Sequence, residues 1–282
     1  MQSIAHPAPS GASPAPATAS RVRSILVGSI GNLIEWYDVY AYSAFALYFA
    51  PSFFPSADPV AQQLSAAAVF AAAFVVRPLG SLLFCWAADR YGRRRPLLLS
   101  VLLMCTGSLL IAVCPTHAQI GAWAAVMLVV ARVLQGLSQG GEYGTSATYL
   151  SEMAEPTRRG FYSGVWFTTL LGGQLAAIVL LLLLQKVFLS PDELKAWGWR
   201  IPFVIGALLS VYALFMRRDM HETSHYHAAR SEGASSGSWR ALLSHWREML
   251  VVVGISIGGT SAFYTYTTYM QKFLKLSVGL DD

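Results

Sequence analysis

The chain has 282 residues, of which 55% are hydrophobic and only 12% charged, and its mean hydropathy is +0.47. Soluble domains carry roughly twice that charged fraction, so the composition excludes an ordinary soluble enzyme and describes an integral membrane protein. The expected fold class is all-α, because backbone polar groups in lipid must be paired within the chain. The net charge of +5 is clustered between apolar runs, a pattern that reports topology rather than nucleic-acid binding. Cys85, Cys105 and Cys114 lie inside apolar segments without disulfide or metal spacing and read as small buried residues.

Residues 1–20 are rich in Ala, Pro and Ser and have no apolar core. They read as a disordered tail rather than a signal peptide. Segments of spanning length follow at 24–49, 62–87, 97–114, 121–150, 160–188, 199–217 and 248–271. This divides the chain into a six-helix bundle over 21–217, a polar loop over 218–247 and a seventh helix within 248–282. Arg21 and Arg23 precede the first span, and Arg90, Arg93, Arg94 and Arg95 follow the second. Arg158 and Arg159 follow the fourth, and Arg217, Arg218, Arg230, Arg240 and Arg247 surround the long loop. The opposite loops hold Lys186 and Lys195, so the N-terminus and the long loop are expected in the cytoplasm. Tyr48, Trp123, Trp197 and Trp199 stand at segment ends, as interfacial anchors do. A seventh helix after a six-helix unit is the pattern of a two-part carrier, with five further spans expected beyond Asp282.

The densest polar pattern inside an apolar run is Ala131 to Gly144, ARVLQGLSQGGEYG. Arg132, Gln135, Gln139, Glu142 and Tyr143 fall on one helical stripe. Gly136, Gly140, Gly141 and Gly144 between them allow neighbouring helices to approach closely. Charges at membrane depth mark ion or substrate pathways unless they form a buried seam that only locks helices together. The first span carries Glu35 and Asp38 at i and i+3, with Tyr42 continuing the face. Two carboxyls in an apolar helix need exchangeable partners, which is what proton coupling requires. The helical rise places Asp38 and Arg132 at compatible depths, so an Asp38–Arg132 pair is expected, with Glu142 facing Glu35. A permanent structural ion pair is the competing reading. Arg77 in the second span has no carboxylate beside it on its own helix, and its planar fork fits either an anionic ligand or one of the first-span acids.

The fifth span offers Thr168, Thr169, Gly172, Gly173 and Gln174. The seventh offers Tyr264, Tyr266, Thr267, Thr268, Tyr269 and Gln271 for hydroxyl, amide or packing contacts. His221, His225 and His227 lie in the polar loop, without cysteines, and read as solvated residues rather than metal ligands. GGQ at 172–174 lacks the context of a phosphate loop. No catalytic triad, cofactor site or nucleotide site is expected, so the chain reads as a non-enzyme.

The loop after the second span reads Asp89-Arg90-Tyr91-Gly92-Arg93-Arg94-Arg95. Gly92 permits a tight turn, while Asp89, the arginines and Glu152 form a candidate charged latch. This run resembles the loop 2–3 motif of the major facilitator superfamily, with Cys85 where the family has glycine. GNLIEWYDVYAYS (31–43), FVVRPLG (74–80), ARVLQGLSQGGEYGTSATYLSE (131–152) and WGWRIPF (197–203) narrow the resemblance to the metabolite:proton symporter branch. SATYLSEMAEPTRRGFYSG and FYTYTTYMQKFL (263–274) point toward its α-ketoglutarate-carrying members.

The resemblance implies a monomeric carrier of the bacterial inner membrane that imports a small organic anion with protons by alternating access. Glu35, Asp38 and Glu142 would serve coupling. Arg77, Arg132, Gln135, Gln139, Tyr143, Gln174 and Tyr266 would serve substrate. Asp89, Arg90, Gly92, Arg93, Arg94 and Glu152 would form the cytoplasmic gate. Relatives carry shikimate, citrate, or proline and betaine. Two arginines at membrane depth favour a carboxylate over a quaternary ammonium, which is held by an aromatic cage. A dianion moving into a negative interior opposes about 2.3 kcal/mol per charge per 100 mV, so about two protons make the step electrically neutral. A receptor of the common seven-helix type would place its N-terminus outside, against the arginine distribution.

Overall fold

The structure, a computed structural model, describes residues 18–92, 94–153, 159–218 and 244–278. The tail before residue 18, Arg93, and the 219–243 loop with its histidines lie outside the described residues, as does the side chain of Glu152. The long helices are α1 (Thr18–Phe53), α2 (Pro59–Tyr91), α3 (Arg94–Val113) and, after a short α4 (His117–Ile120), α5 (Trp123–Met153). They continue with α6 (Arg159–Leu183), prolonged by a π-helical turn over Leu184–Phe188. A short α7 (Pro191–Ala196) and a 3-10 turn (Gly198–Arg200) lead into α8 (Ile201–Arg218). The last long helix is α9 (Trp246–Tyr264), which runs on through π-helical turns at Thr265–Tyr269.

The helix ends follow local chemistry. Asp58 caps α2 by accepting from the Val60 amide at 2.8 Å, and Pro59 takes the first position, where a missing N–H costs nothing. Gly92 closes α2 at φ +92°, a conformation an L side chain resists, and its amide returns to the Ala88 carbonyl at 3.1 Å. Ser190 opens α7 with a reciprocal cap: its amide and hydroxyl donate to the Glu193 carboxylate at 2.9 and 2.7 Å, holding that carboxyl below the usual range.

Among the described residues, six helical segments are long and apolar enough to cross a membrane: those of α2, α3, α5, α6, α8 and α9. The sequence predicts seven such spans; α1 is the one that falls short in apolar character. The reason is its setting. From Ser29 to Phe53 nearly every α1 side chain is buried, including Ser29, Asn32, Glu35 and Asp38. A helix enclosed by other helices faces protein and needs no lipid-compatible surface.

Around α1, α2 packs on α5, α6 on α1, and α3 between α5 and α8. The α2–α5 crossing is close because glycine faces backbone. A Cβ on Gly136 would stand 2.3 Å from the Ala73 carbonyl oxygen, and one on Gly140 would stand 2.0 Å from that of Arg77. The glycines of the 131–144 run therefore do what small residues do at membrane helix interfaces. Cys85 of α2 stands opposite Gly144, with its sulfur 3.0 Å from where a Cβ would be.

One end of the bundle is filled by aromatic rings. Phe49 and Phe53 of α1 pack on Trp199 at centroid distances of 5.8 and 5.4 Å, with Phe203 6.2 Å from Phe49. Trp199 is fully buried and Tyr48 is 8% exposed. These two are core residues, not the interfacial anchors expected from their place at segment ends. Trp123 and Trp197 are exposed. The α9 residues from Met249 to Ile257 are exposed, whereas its continuation reaches α1 through a Tyr40–Thr267 hydrogen bond of 3.3 Å.

Candidate functional site

Asp38 sits at the middle of α1 with no exposed surface. Its Oδ2 accepts from the Ser108 hydroxyl of α3 at 2.7 Å and from the Gln135 amide of α5. Gln135 Nε2 also reaches Ser108 Oγ at 3.1 Å, and Gln135 Oε1 accepts from Arg132 Nη1 at 2.6 Å. The expected Asp38–Arg132 ion pair is thus absent as a direct contact among the described residues. Gln135 bridges the two, donating to the acid and accepting from the base. An amide can do both at once because it carries a donor and an acceptor on one planar group. Among the described residues, Asp38 Oδ1 has no donor, and Arg132 Nε and Nη2 have no acceptor. The Arg132 guanidinium lies over the Tyr42 and Phe70 rings at 4.4 and 5.2 Å.

Arg77 occupies the next position along the same α2 surface. It donates to Gln139 Oε1 through Nε at 2.8 Å and through Nη2, and stacks over Phe74 at 4.4 Å. It makes no ion pair with Glu35 or Asp38 among the described residues, although Glu35 lies within its electrostatic reach. Phe70 and Phe74 are one helical turn apart, with ring centroids separated by 5.1 Å. The two arginines therefore rest on consecutive rings of one helix, each with its guanidinium oriented by an α5 glutamine. Guanidiniums held this way lose little freedom on binding an anion.

Glu142 lies within electrostatic reach of Glu35, but its hydrogen-bond partners are elsewhere. Its carboxylate is closed by Arg217 of α8, which donates from Nη1 to Oε2 at 2.7 Å and from Nη2 to Oε1. The Ser100 and Ser146 hydroxyls complete it at 2.9 and 2.7 Å. Arg217 is fully buried. Its position beside a loop full of arginines made it read as topological charge, and no local feature of the sequence distinguishes it from Arg218. Glu35 is 2% exposed, and its Oε2 has no donor among the described residues.

The remaining expected residues divide. Tyr143 is half exposed and packs edge-on against Trp166 at 4.7 Å. Gln174 is half-buried on α6 and has no part in the Asp38 and Glu142 hydrogen bonds described above. Tyr266 is 72% exposed and is not brought to the cluster. Its neighbour Tyr264 is, packing on Phe74 at 5.3 Å, within electrostatic reach of Arg77, Glu35 and Arg132. The switch from α to π turns after Tyr264 changes which side chains face α1 and α2, and a 3.6-residue period could not anticipate it. In the loop motif, Gly92 makes the turn, Arg90 lies over Trp86 at 5.7 Å and Arg94 donates to the Arg218 carbonyl at the end of α8. Asp89 is half-buried at the end of α2. Arg93 and the Glu152 side chain lie outside the described residues.

Helices enclosing a buried polar core of this kind define a membrane transporter class. Residues 24–238 match the family model described as sugar (and other) transporter, and the chain belongs to that family. It is 48% identical over 265 residues to the α-ketoglutarate permease of Escherichia coli, covering 93% of this chain and 60% of the relative. It is 34% identical to the citrate-proton symporter of Klebsiella pneumoniae, covering 93% of this chain and 59% of that protein. To the proline/betaine transporter of Salmonella typhimurium it is also 34% identical, covering 89% and 52%. The chain thus spans between half and three fifths of the length of these relatives. Among solved structures it resembles the major facilitator superfamily proton:xylose symporter XylE bound to 6-bromo-6-deoxy-D-glucose. The TM-score is 0.69 at 19% identity, over 76% of this chain and 47% of that one. The partially occluded inward-open form of the Escherichia coli xylose transporter gives 0.67 at 19% identity, over 74% and 52%. The fold is that of the major facilitator superfamily, and the chain is a multi-pass membrane protein.

Proposed function

We propose that this chain provides the six-helix bundle and following helix of a proton-coupled carrier that imports a dicarboxylate across the bacterial inner membrane by alternating access. α-Ketoglutarate is the first candidate. The observation that carries the reading is the pair of arginines on consecutive α2 rings. Among the described residues Arg132 keeps two nitrogens, Nε and Nη2, without acceptors, and Arg77 is half-buried and donates to the neutral Gln139 amide rather than to a carboxylate. Unsatisfied donors on a buried cation are costly, and a substrate carboxylate removes that cost. A quaternary ammonium solute would meet two like charges at the same place. The 48% identity to a protein named α-ketoglutarate permease supports the same class.

Coupling is assigned to Asp38 through Gln135. A proton on Asp38 takes away the charge that strengthens the Gln135 amide's hydrogen bond to Oδ2, and a more loosely held amide changes what Arg132 can offer to a substrate. Occupancy of the acid and of the anion site are then linked through one side chain. The test is uptake of labelled α-ketoglutarate into proteoliposomes under an imposed inward proton gradient, with succinate, citrate and betaine as competitors. Gradient-driven accumulation inhibited by dicarboxylates supports the reading. Accumulation driven equally without the gradient, or displaced by betaine alone, rejects it.

A further inference from the structure

The polar core holds two glutamates whose surroundings differ. Glu142 receives four hydrogen bonds, two from Arg217 and one each from Ser100 and Ser146. Arg217 is anchored further by the Leu97 carbonyl at 3.2 Å, and Ser100 is itself fixed to α5, its carbonyl accepting from Ser138 at 2.6 Å. This draws α3, α5 and α8 into one closed knot. On α1, Gly31 lies against it: a Cβ there would stand 2.1 Å from Arg217 Nη2 and 2.3 Å from Glu142 Oε1. One turn further along α1, Glu35 has an oxygen without a donor. The charged and titratable groups that face Glu35 are Arg77 of α2, Glu142 and Tyr143 of α5, Arg217 of α8, Tyr264 of α9 and Asp38 of its own helix.

We infer that Arg217 is a positioning residue for proton coupling: by closing Glu142 into a saturated ion pair, it leaves Glu35 as the glutamate of this core that takes up and releases a proton. The inference rests on the coupling reading above and adds to it a division of labour between two acids on facing helices. An acid whose lone pairs are filled by a bidentate guanidinium and two hydroxyls must displace a donor, and give up part of its ion pair, to accept a proton. Glu35 displaces none on its open oxygen. The fixed Glu142 carboxylate and the Arg77 and Arg217 cations then form a constant electrostatic frame around the acid that changes charge.

The experiment is an infrared titration of the carboxyl C=O band in the purified chain, paired with the pH profile of gradient-driven uptake. Bands are assigned by their loss in Glu35→Gln, Asp38→Asn and Glu142→Gln. The wild type is expected to show a titrating band that Glu35→Gln removes and none that Glu142→Gln removes. Arg217→Gln should add a band that the double variant Glu142→Gln/Arg217→Gln lacks, and Arg217→Lys should suppress it again. The double variant removes both members of the Glu142–Arg217 pair and leaves neither charge without its partner, so it reports even where Arg217→Gln alone fails to fold: its Glu35 band should persist. In transport, Arg217→Gln should shift the pH midpoint of uptake, while a purely structural role would lower the rate at an unchanged midpoint. A Glu142 band in the wild type, no added band in Arg217→Gln, or an unshifted midpoint overturns the inference. Absence of any proton-driven uptake in the wild type instead rejects the transport reading, and leaves the infrared assignment to stand or fall by itself.

Discussion

Arg132 and Arg77 carry charge into a layer where charge is expensive, and each is oriented by a glutamine rather than neutralised by an acid. Replacing Arg77 with Lys keeps the charge and removes the planar fork. Affinity for α-ketoglutarate, measured by calorimetry in nanodiscs, should fall about tenfold, or about 1.4 kcal/mol; an unchanged affinity would assign Arg77 to structure alone. Asp38→Asn removes the site of protonation but keeps an acceptor for Ser108 and Gln135. Uphill uptake should be lost while exchange of labelled for unlabelled substrate survives. Retained accumulation would exclude Asp38 from coupling. Arg132, Gln135 and Gln139 were legible in the sequence because polar residues recurring at helical spacing in an apolar run define a single face. Arg217 was not, because an arginine at the end of a span has the same local sequence whether it reaches the headgroups or turns inward to Glu142.

Close helix contacts decide how these side chains meet. The α2–α5 crossing brings Arg77 and Gln139 together only because Gly136 and Gly140 let the backbones touch. Gly140→Ala places a methyl group 2.0 Å from the Arg77 carbonyl oxygen, so the helices must separate. The expected cost is about 1–3 kcal/mol, read as a lower melting temperature in detergent together with weaker substrate binding. Unchanged melting would show that the crossing has slack. Gly31→Ala should act on a different contact, pushing α1 away from the Arg217–Glu142 pair; the overpacking is expected to cost about 1–3 kcal/mol, read as a lower melting temperature. The spacing of small residues announced that a tight crossing existed. It did not say which helix would fill it, since any neighbour with an exposed backbone stripe satisfies the same pattern.

Across the entire bundle, α1 is the enclosed helix and the others form its wall. The outward faces of α2, α3, α6 and α8 carry exposed apolar side chains such as Val75, Leu102, Leu175 and Leu208, as a lipid-facing surface requires. The arginine distribution predicts that the N-terminal tail and the 219–243 loop share the cytoplasmic side. Single cysteines introduced by Ser10→Cys and Ser235→Cys should both resist a membrane-impermeant maleimide in intact cells and react after permeabilisation. Labelling of either one from outside would invert the topology.

Taken alone, the amino-acid sequence determined the class of protein, the number and order of the long helices, and the stripe on which the buried charges stand. All of these depend on hydrophobic periodicity and length, which are local properties of a chain in lipid. The tertiary structure decided the partners: Gln135 between Asp38 and Arg132, Arg217 on Glu142, Gln139 on Arg77, and an open oxygen on Glu35. Partner choice depends on helix rotation and depth to within about the reach of one hydrogen bond, and those are set by packing between segments far apart in the chain.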